Sequence, residues 1–310
     1  MTLFFRRRFW LSLFVFFLSA CGDGGNGNQG APTAAELRAQ ETDAPVVTGD
    51  VATDGFNWFN FRRQQAGLPA LKRNSTIDIA ATAHANYQQA NNVVTHDETA
   101  GLTGFTGAGS LQRLRAAGLE LNPSGYTDGE VIAATDGGDG FSAAEGLMAA
   151  IYHRFVILQP VFNEAGAGTA TRVGGYTWLN MNFVLNQPGS KSTGQLIVWP
   201  YSQQKSVRVN FFSDQESPDP VPQRDEVGYP VSVHAAMNTD LQVGSFTIRP
   251  SGEAVLATRQ LDGRTDQETP KSAAAIIPLA VLRAGTRYEI EFIGTVDGIA
   301  VNRSWSFTTR

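Results

Sequence analysis

Gly129-Glu130-Val131-Ile132-Ala133 is the stretch on which the fold turns. It belongs to an expected strand over 126–134, with a carboxylate next to two β-branched side chains. A charged group inside an apolar strand needs partners from elsewhere in the chain. Working outward, the candidates are His96, Glu145 in Ala143-Ala144-Glu145-Gly146-Leu147, and His153 in Tyr152-His153-Arg154. Two imidazoles and two carboxylates from separate segments would then meet in one cleft. Such a cleft can bind a divalent metal or hold histidines in fixed tautomers for proton chemistry. The same four groups, buried for mutual hydrogen bonding, would instead tie the segments together.

The pattern around the strand is helical first. A helix is expected over 54–66, with Asp54 as N-cap and Gly67 and Pro69 as its stop. A second begins at Ser75 and places Ile77, Ala80, Ala81, His84 and Tyr87 on one face, so His84 is expected in the core. It fades near Asn91-Asn92, and His96 follows in a loop or helix end. A short basic helix spans 111–117. The Asp136-Gly-Gly-Asp-Gly140 run lacks the spacing and distal Glu of a calcium loop and reads as a turn. One long helix is expected over 141–158, with Glu145 and His153 loosely on one side and Pro160 beyond its end. Residues 178–185 alternate, with Trp178, Asn180 and Asn182 opposite Leu179, Met181, Phe183 and Leu185, which predicts a half-buried strand. Residues 195–199 form another.

Beyond Pro200 the pattern changes. Short alternating runs at 231–235, 241–248, 254–261, 273–279, 288–293 and 304–308 are separated by turns, the signature of an all-β sandwich. Leu282-Arg-Ala-Gly285-Thr-Arg-Tyr288 matches a tyrosine corner and points to an immunoglobulin-like fold. His234 has no acidic or histidine neighbour in sequence and takes no role.

Composition sets the class. Hydrophobic residues make 42% and charged residues 17% of the 310, which fits folded domains rather than disorder. Arg6-Arg7-Arg8 followed by an apolar stretch to Ala20 reads as an export signal. The net charge of −5 becomes −8 once this leader, with three arginines and no acid, is removed. So acidic a body argues against a nucleic-acid partner. Leu18-Ser19-Ala20-Cys21 resembles a bacterial lipobox, so Cys21 is expected to be acylated and to hold the protein to a membrane. Gly22 in place of Asp favours the outer membrane, by resemblance to lipoproteins of two-membrane bacteria. Cys21 is the sole cysteine, so no internal disulfide forms. The expected organisation is a signal over 1–20, the lipidated cysteine and a flexible tether over 21–50, an α+β domain over 51–198, and a β-sandwich over 199–310.

The α+β domain resembles the CAP superfamily of cysteine-rich secretory proteins, antigen 5 and plant pathogenesis-related proteins, its bacterial extracytoplasmic members included. The likeness rests on Asn57, Arg62, Gly67-Leu68-Pro69-Ala70-Leu71, Ile79-Ala80-Ala81 with His84-Ala85, His96, Gly129-Glu130-Val131-Ile132-Ala133, Glu145, Tyr152-His153-Arg154, Gly166-Ala167-Gly168 and the Trp178 strand. Val131 stands where the family has Asn, Ser142 where it commonly has Trp, and Ala150-Ile151-Tyr152 where it has Ser-Pro-Gly. The resemblance implies a CAP-type α-β-α sandwich whose cavity carries His96, Glu130, Glu145 and His153. With His96 and His153 as ligands at about 2.0–2.1 Å, zinc or another divalent cation would bind weakly, Glu130 and Glu145 orienting the rings. Family members bind sterols, fatty acids, metals or protein partners, so an unknown small-molecule, lipid or envelope partner is expected. Three functions follow: a surface-anchored binding protein with the sandwich as spacer or adhesion module, a metal-assisted hydrolase of envelope polymers using Glu130 and Glu145, or a purely structural envelope protein. No His-Glu-x-x-His run and no Gly-x-Ser-x-Gly elbow favours the hydrolase.

Overall fold

The computed structural model describes residues 32–41, 43–172, 174–187 and 196–310; Cys21, the expected signal and the first part of the expected tether lie outside them. The N-terminal half runs α1 (Ala34–Gln40), α2 (Val51–Gln65), β1 (Lys72–Arg73), α3 (Ser75–Asn91), α4 (Ser110–Ala116), β2 (Thr127–Asp136), α5 (Gly140–Ala149), α6 (Ile151–Ile157), β3 (Glu164–Thr171) and β4 (Tyr176–Leu185). The helix ends follow from capping chemistry. The Asp50 carboxylate accepts from the Thr53 N–H at the start of α2, and the Asn74 side chain accepts from Thr76 at the start of α3. Asn92, at φ 53°, ends α3 in the left-handed region that Asn tolerates. Asp54 is not the cap expected of it: it lies inside α2 and accepts from Thr48 and Gly49.

The four strands form one sheet in the order β1-β3-β4-β2. Strand β4 is central and buried along nearly its whole length, not half-buried. Its even and odd residues meet different helices. Leu179 lies against Gly55 of α2, whereas Asn182 bonds Ser110 of α4. On the α3 side the packing is backbone to backbone: a Cβ on Gly168 would stand 2.1 Å from the Thr82 N, and one on Gly166 2.3 Å from the Asp78 N. Helices on both faces give the expected α-β-α sandwich. The helix expected over 141–158 is two helices. Ala150, at ψ 120°, breaks it, and α6 starts afresh. Residues 34–40, expected within the tether, form α1, which carries a Thr33–Glu36 capping box and buries Ala34 and Leu37.

The C-terminal half holds β5 (Ile197–Trp199), β6 (Gln204–Val207), β7 (Asn210–Phe212), β8 (Glu226–Gly228), β9 (Val231–His234), β10 (Leu241–Pro250), β11 (Thr258–Asp262), β12 (Ala273–Pro278), β13 (Arg287–Val296) and β14 (Ile299–Thr309). One sheet runs β5-β9-β12-β11 and the other β10-β13-β14, with β6 added parallel to β14. These are the A-B-E-D and C-F-G sheets of an immunoglobulin-like sandwich. The tyrosine corner is present: Tyr288 is 1% exposed and its phenol oxygen accepts the Arg283 N–H at 2.8 Å. The β7–β8 hairpin, whose connection carries Glu216, is inserted between β6 and β9.

The two halves share an apolar interface. Ala273, Ala275 and Ile277 point away from the sandwich core and pack with Ala150, Ile151, Tyr152 and Phe155 at α6. Ala274 and Ile276 point the other way, into the sandwich core. Strand β12 is therefore buried on both faces.

Candidate functional site

Glu130 lies opposite Asn182 in the β2–β4 ladder and so faces α3 and α4. Its carboxylate accepts two bonds from the Arg113 guanidinium at 2.7 and 2.8 Å and one from Asn182 Nδ2 at 2.9 Å. His96 Nδ1 lies 2.8 Å from Glu130 Oε1. Burial pushes the Glu130 carboxyl up, but Arg113, then His84 and His96, outweigh it and hold it well below the usual carboxylate range. An ionised carboxylate can only accept, so His96 Nδ1 carries the proton and Nε2 is left as the ring's other functional atom. The His96 side chain is 14% exposed, and among the described residues nothing is bonded to Nε2.

A second pair lies under the first. His84 is fully buried, with Nδ1 2.9 Å from Glu98 Oε1 and Nε2 donating to the Thr95 carbonyl at 2.8 Å. Glu98 also accepts the N–H groups of Thr106 and Gly107. Burial raises the Glu98 carboxyl, yet the bonds from His84, Thr106 and Gly107 bring it below its ordinary value. Both His84 nitrogens thus face oxygen atoms. His84 Nε2 is 4.0 Å from Glu130, and Arg113 Nε is 3.9 Å from Glu98. His84, His96, Glu98, Arg113 and Glu130 form one network beneath the surface, with the imidazole of His96 at its rim.

Glu145 and His153 belong elsewhere, so the expected four-residue cleft does not form. Glu145 sits in the α2–α5 layer on the opposite side of the sheet from Glu130. Its carboxylate accepts from Trp58 Nε1 at 2.7 Å and Arg62 Nε at 2.8 Å. His153 lies at the sandwich interface, 1% exposed, with Nδ1 3.1 Å from Glu216 Oε1. The break at Ala150 defeats the expected alignment: α6 is a separate helix, aimed at the sandwich. Glu216 accepts the N–H groups of Ile151, Tyr152 and His153, so a carboxylate from the other half caps α6. Arg154, fully buried, donates to the carbonyls of Met148, Ala149 and Pro230 and stacks 4.9 Å from the Tyr229 ring.

The donor set does not fit the expected zinc ion. His96 and His153 lie in different networks, and the His84 nitrogens are both engaged. Among the described residues no three His, Cys, Asp or Glu side chains group so as to hold a metal ion. Glu98, Arg113 and Glu216 carry no role in the sequence reading. Glu98 stands two residues from His96, which is the one sequence signal that it shares a loop with it; Glu216 has none, because its partners are over 60 residues away.

The comparisons bear on the fold just described. The family model of the cysteine-rich secretory protein family, CAP, matches residues 56–186, the span of the α-β-α sandwich. Residues 56–186 are a CAP domain. Solved structures similar to the chain include an extracellular protein containing an SCP domain from Bacillus anthracis, 20% identical at TM-score 0.37, with 48% of this chain and 49% of that chain covered. An outer surface protein from Borrelia burgdorferi is 14% identical at TM-score 0.38, over 46% of this chain and 97% of that one. A cysteine-rich secretory protein from Staphylococcus aureus is 17% identical at TM-score 0.33, over 46% and 41%. The chain thus spans about half the length of the Bacillus protein. No curated protein matches the chain. Within the CAP domain, the family-like residues His96 and Glu130 stay together, while Glu145 and His153 serve the α2–α5 layer and the sandwich interface.

Proposed function

We propose that the protein is a bacterial extracytoplasmic binding protein, anchored through Cys21, whose CAP domain engages an envelope ligand at His96. The observation that carries this reading is the fixed ring: Glu130 holds Nδ1 at 2.8 Å and leaves Nε2 toward the rim. A ring oriented in advance loses little freedom when a hydroxyl or amide N–H donates to it. The sandwich acts as a buttress rather than a spacer, since it covers α6 and caps it with Glu216. Cosedimentation of the purified protein with bacterial cell envelopes tests the reading. Wild type is expected to pellet, and His96→Ala to bind at least tenfold more weakly with its fold intact by circular dichroism. Equal binding by the two proteins overturns it.

The same dyad supports a second reading. A carboxylate-held imidazole with an outward Nε2 is the geometry of a general base. Turnover of a peptide library that His96→Ala abolishes, with the library still bound, would favour hydrolysis over binding alone.

A further inference from the structure

Glu145 leads to a second locus, where the CAP domain, α1 and the sandwich meet. Arg62 is anchored there by two acids, with Nε on Glu145 at 2.8 Å and Nη1 on Glu41 at 2.6 Å. Its guanidinium stacks 4.6 Å from the Trp58 ring and 5.7 Å from the Trp199 ring of the sandwich. A narrow cleft opens beside it. Gln40, Arg62 and Glu145 line one wall, and Ser206, Arg208 and Arg310 the other. Pairing of β14 with β6, and the bond from the Arg310 N–H to the Val207 carbonyl, set Arg310 next to Arg208.

Charge pairing in this cleft is incomplete. Arg62 has its carboxylates, but among the described residues neither Arg208 nor Arg310 has one within ion-pair distance. Both Nε atoms are buried with no acceptor. Burial pulls the Arg208 guanidinium below the ordinary arginine range; Tyr229 and Glu145 oppose the shift and the like charge of Arg310 adds to it. Two buried donors of the same sign, on arginines that line one cleft and lacking acceptors, are unfavourable until an acceptor reaches them. Guanidinium groups match the oxygens of a carboxylate or phosphate with paired, charge-assisted bonds.

We propose that this cleft binds an oxyanion group, carboxylate or phosphate, between Arg208 and Arg310. A free ion and the charged end of an envelope polymer share this chemistry. This inference does not depend on His96.

Calorimetry and thermal unfolding of the purified chain test it, with inorganic phosphate, with a short peptide ending in a free carboxylate, and with the same peptide amidated. At constant ionic strength, phosphate or the carboxylate peptide is expected to bind saturably and raise the unfolding midpoint. Binding of phosphate without the peptide assigns a free ion, and binding of the carboxylate but not the amide assigns a polymer end. Arg208→Gln and Arg310→Gln are expected to weaken binding at least tenfold, while Arg303→Gln, on the exposed part of β14, leaves it unchanged. If wild type takes up neither probe beyond what chloride does, the proposal fails, whatever the variants do. It also fails if a folded Arg208→Gln binds as wild type does.

Discussion

His234 shows how far one buried side chain can control acid stability. It is 1% exposed, bonds Ser232 through Nε2 and lies edge-on to Phe155 at 5.6 Å. Burial, then the Arg154 charge, pushes its pKa down to about 3 from 6.5. The folded state therefore binds the proton more weakly than the unfolded chain. Stability from the neutral ring is complete above pH 6.5 and falls as pH drops toward 3. With one pKa unit equal to about 1.4 kcal/mol, the loss between pH 6.5 and 5 is about 2 kcal/mol. Urea unfolding of His234→Gln at pH 7.5 and 5.0 is expected to show a smaller drop than wild type. An equal drop would place the acid sensitivity in other groups. Glu98 and Glu130, both held below their ordinary values, work at lower pH. Their stabilisation is present above the carboxylate range and is lost as pH falls through it, so Glu130→Gln should lessen the unfolding seen below about pH 4.5.

At the scale of elements, α6 depends on a residue it does not contain. The Glu216 carboxylate satisfies three N–H groups at its first turn and contacts His153. Glu216→Ala leaves those donors buried and unpaired and is expected to destabilise the protein by about 3 kcal/mol or more. Differential hydrogen exchange should show the amides of Ile151 and Tyr152 losing protection first. The contact between α3 and β3 is equally specific. Gly166 and Gly168 sit two apart on one face of the strand, which lets the helix backbone rest on it. Gly168→Ala would force a Cβ to within 2.1 Å of the Thr82 N, and a loss of about 3 kcal/mol is expected by chemical denaturation.

For the whole molecule, the decisive feature is that the outer face of β12 is closed by the CAP domain. Two halves joined through Phe155, Ala273, Ala275 and Ile277, with Arg154 and Glu216 bonded across the join, should unfold together. Calorimetry is expected to give one transition, with the calorimetric and van't Hoff enthalpies equal. Two separated transitions would show that the interface is weak. Removing residues 200–310 would not isolate a working CAP domain, because it strips α6 of its cap and its cover. The truncated chain is expected to bind a hydrophobic dye and to aggregate.

Residue patterns alone specified the class and most elements. Capping residues and 3.6-residue periodicity located α3, two-residue alternation and turns located the sandwich strands, and Leu282 to Tyr288 announced the tyrosine corner that Arg283 completes. The sequence also held a sign that went beyond alternation: 273–279 is continuously apolar, as a strand covered on both faces must be. The placing of His96 beside Glu130 was legible because both lie near the α3–β2 region and face one side of the sheet. The fate of His153 and Glu145 was not. Whether an apolar run such as 141–158 is one helix or two depends on Glu216, a carboxylate distant in the chain, offering its oxygens to a broken turn. Local propensity carries no information about a cap supplied from another domain, and only the packed tertiary structure brings that charge to the helix.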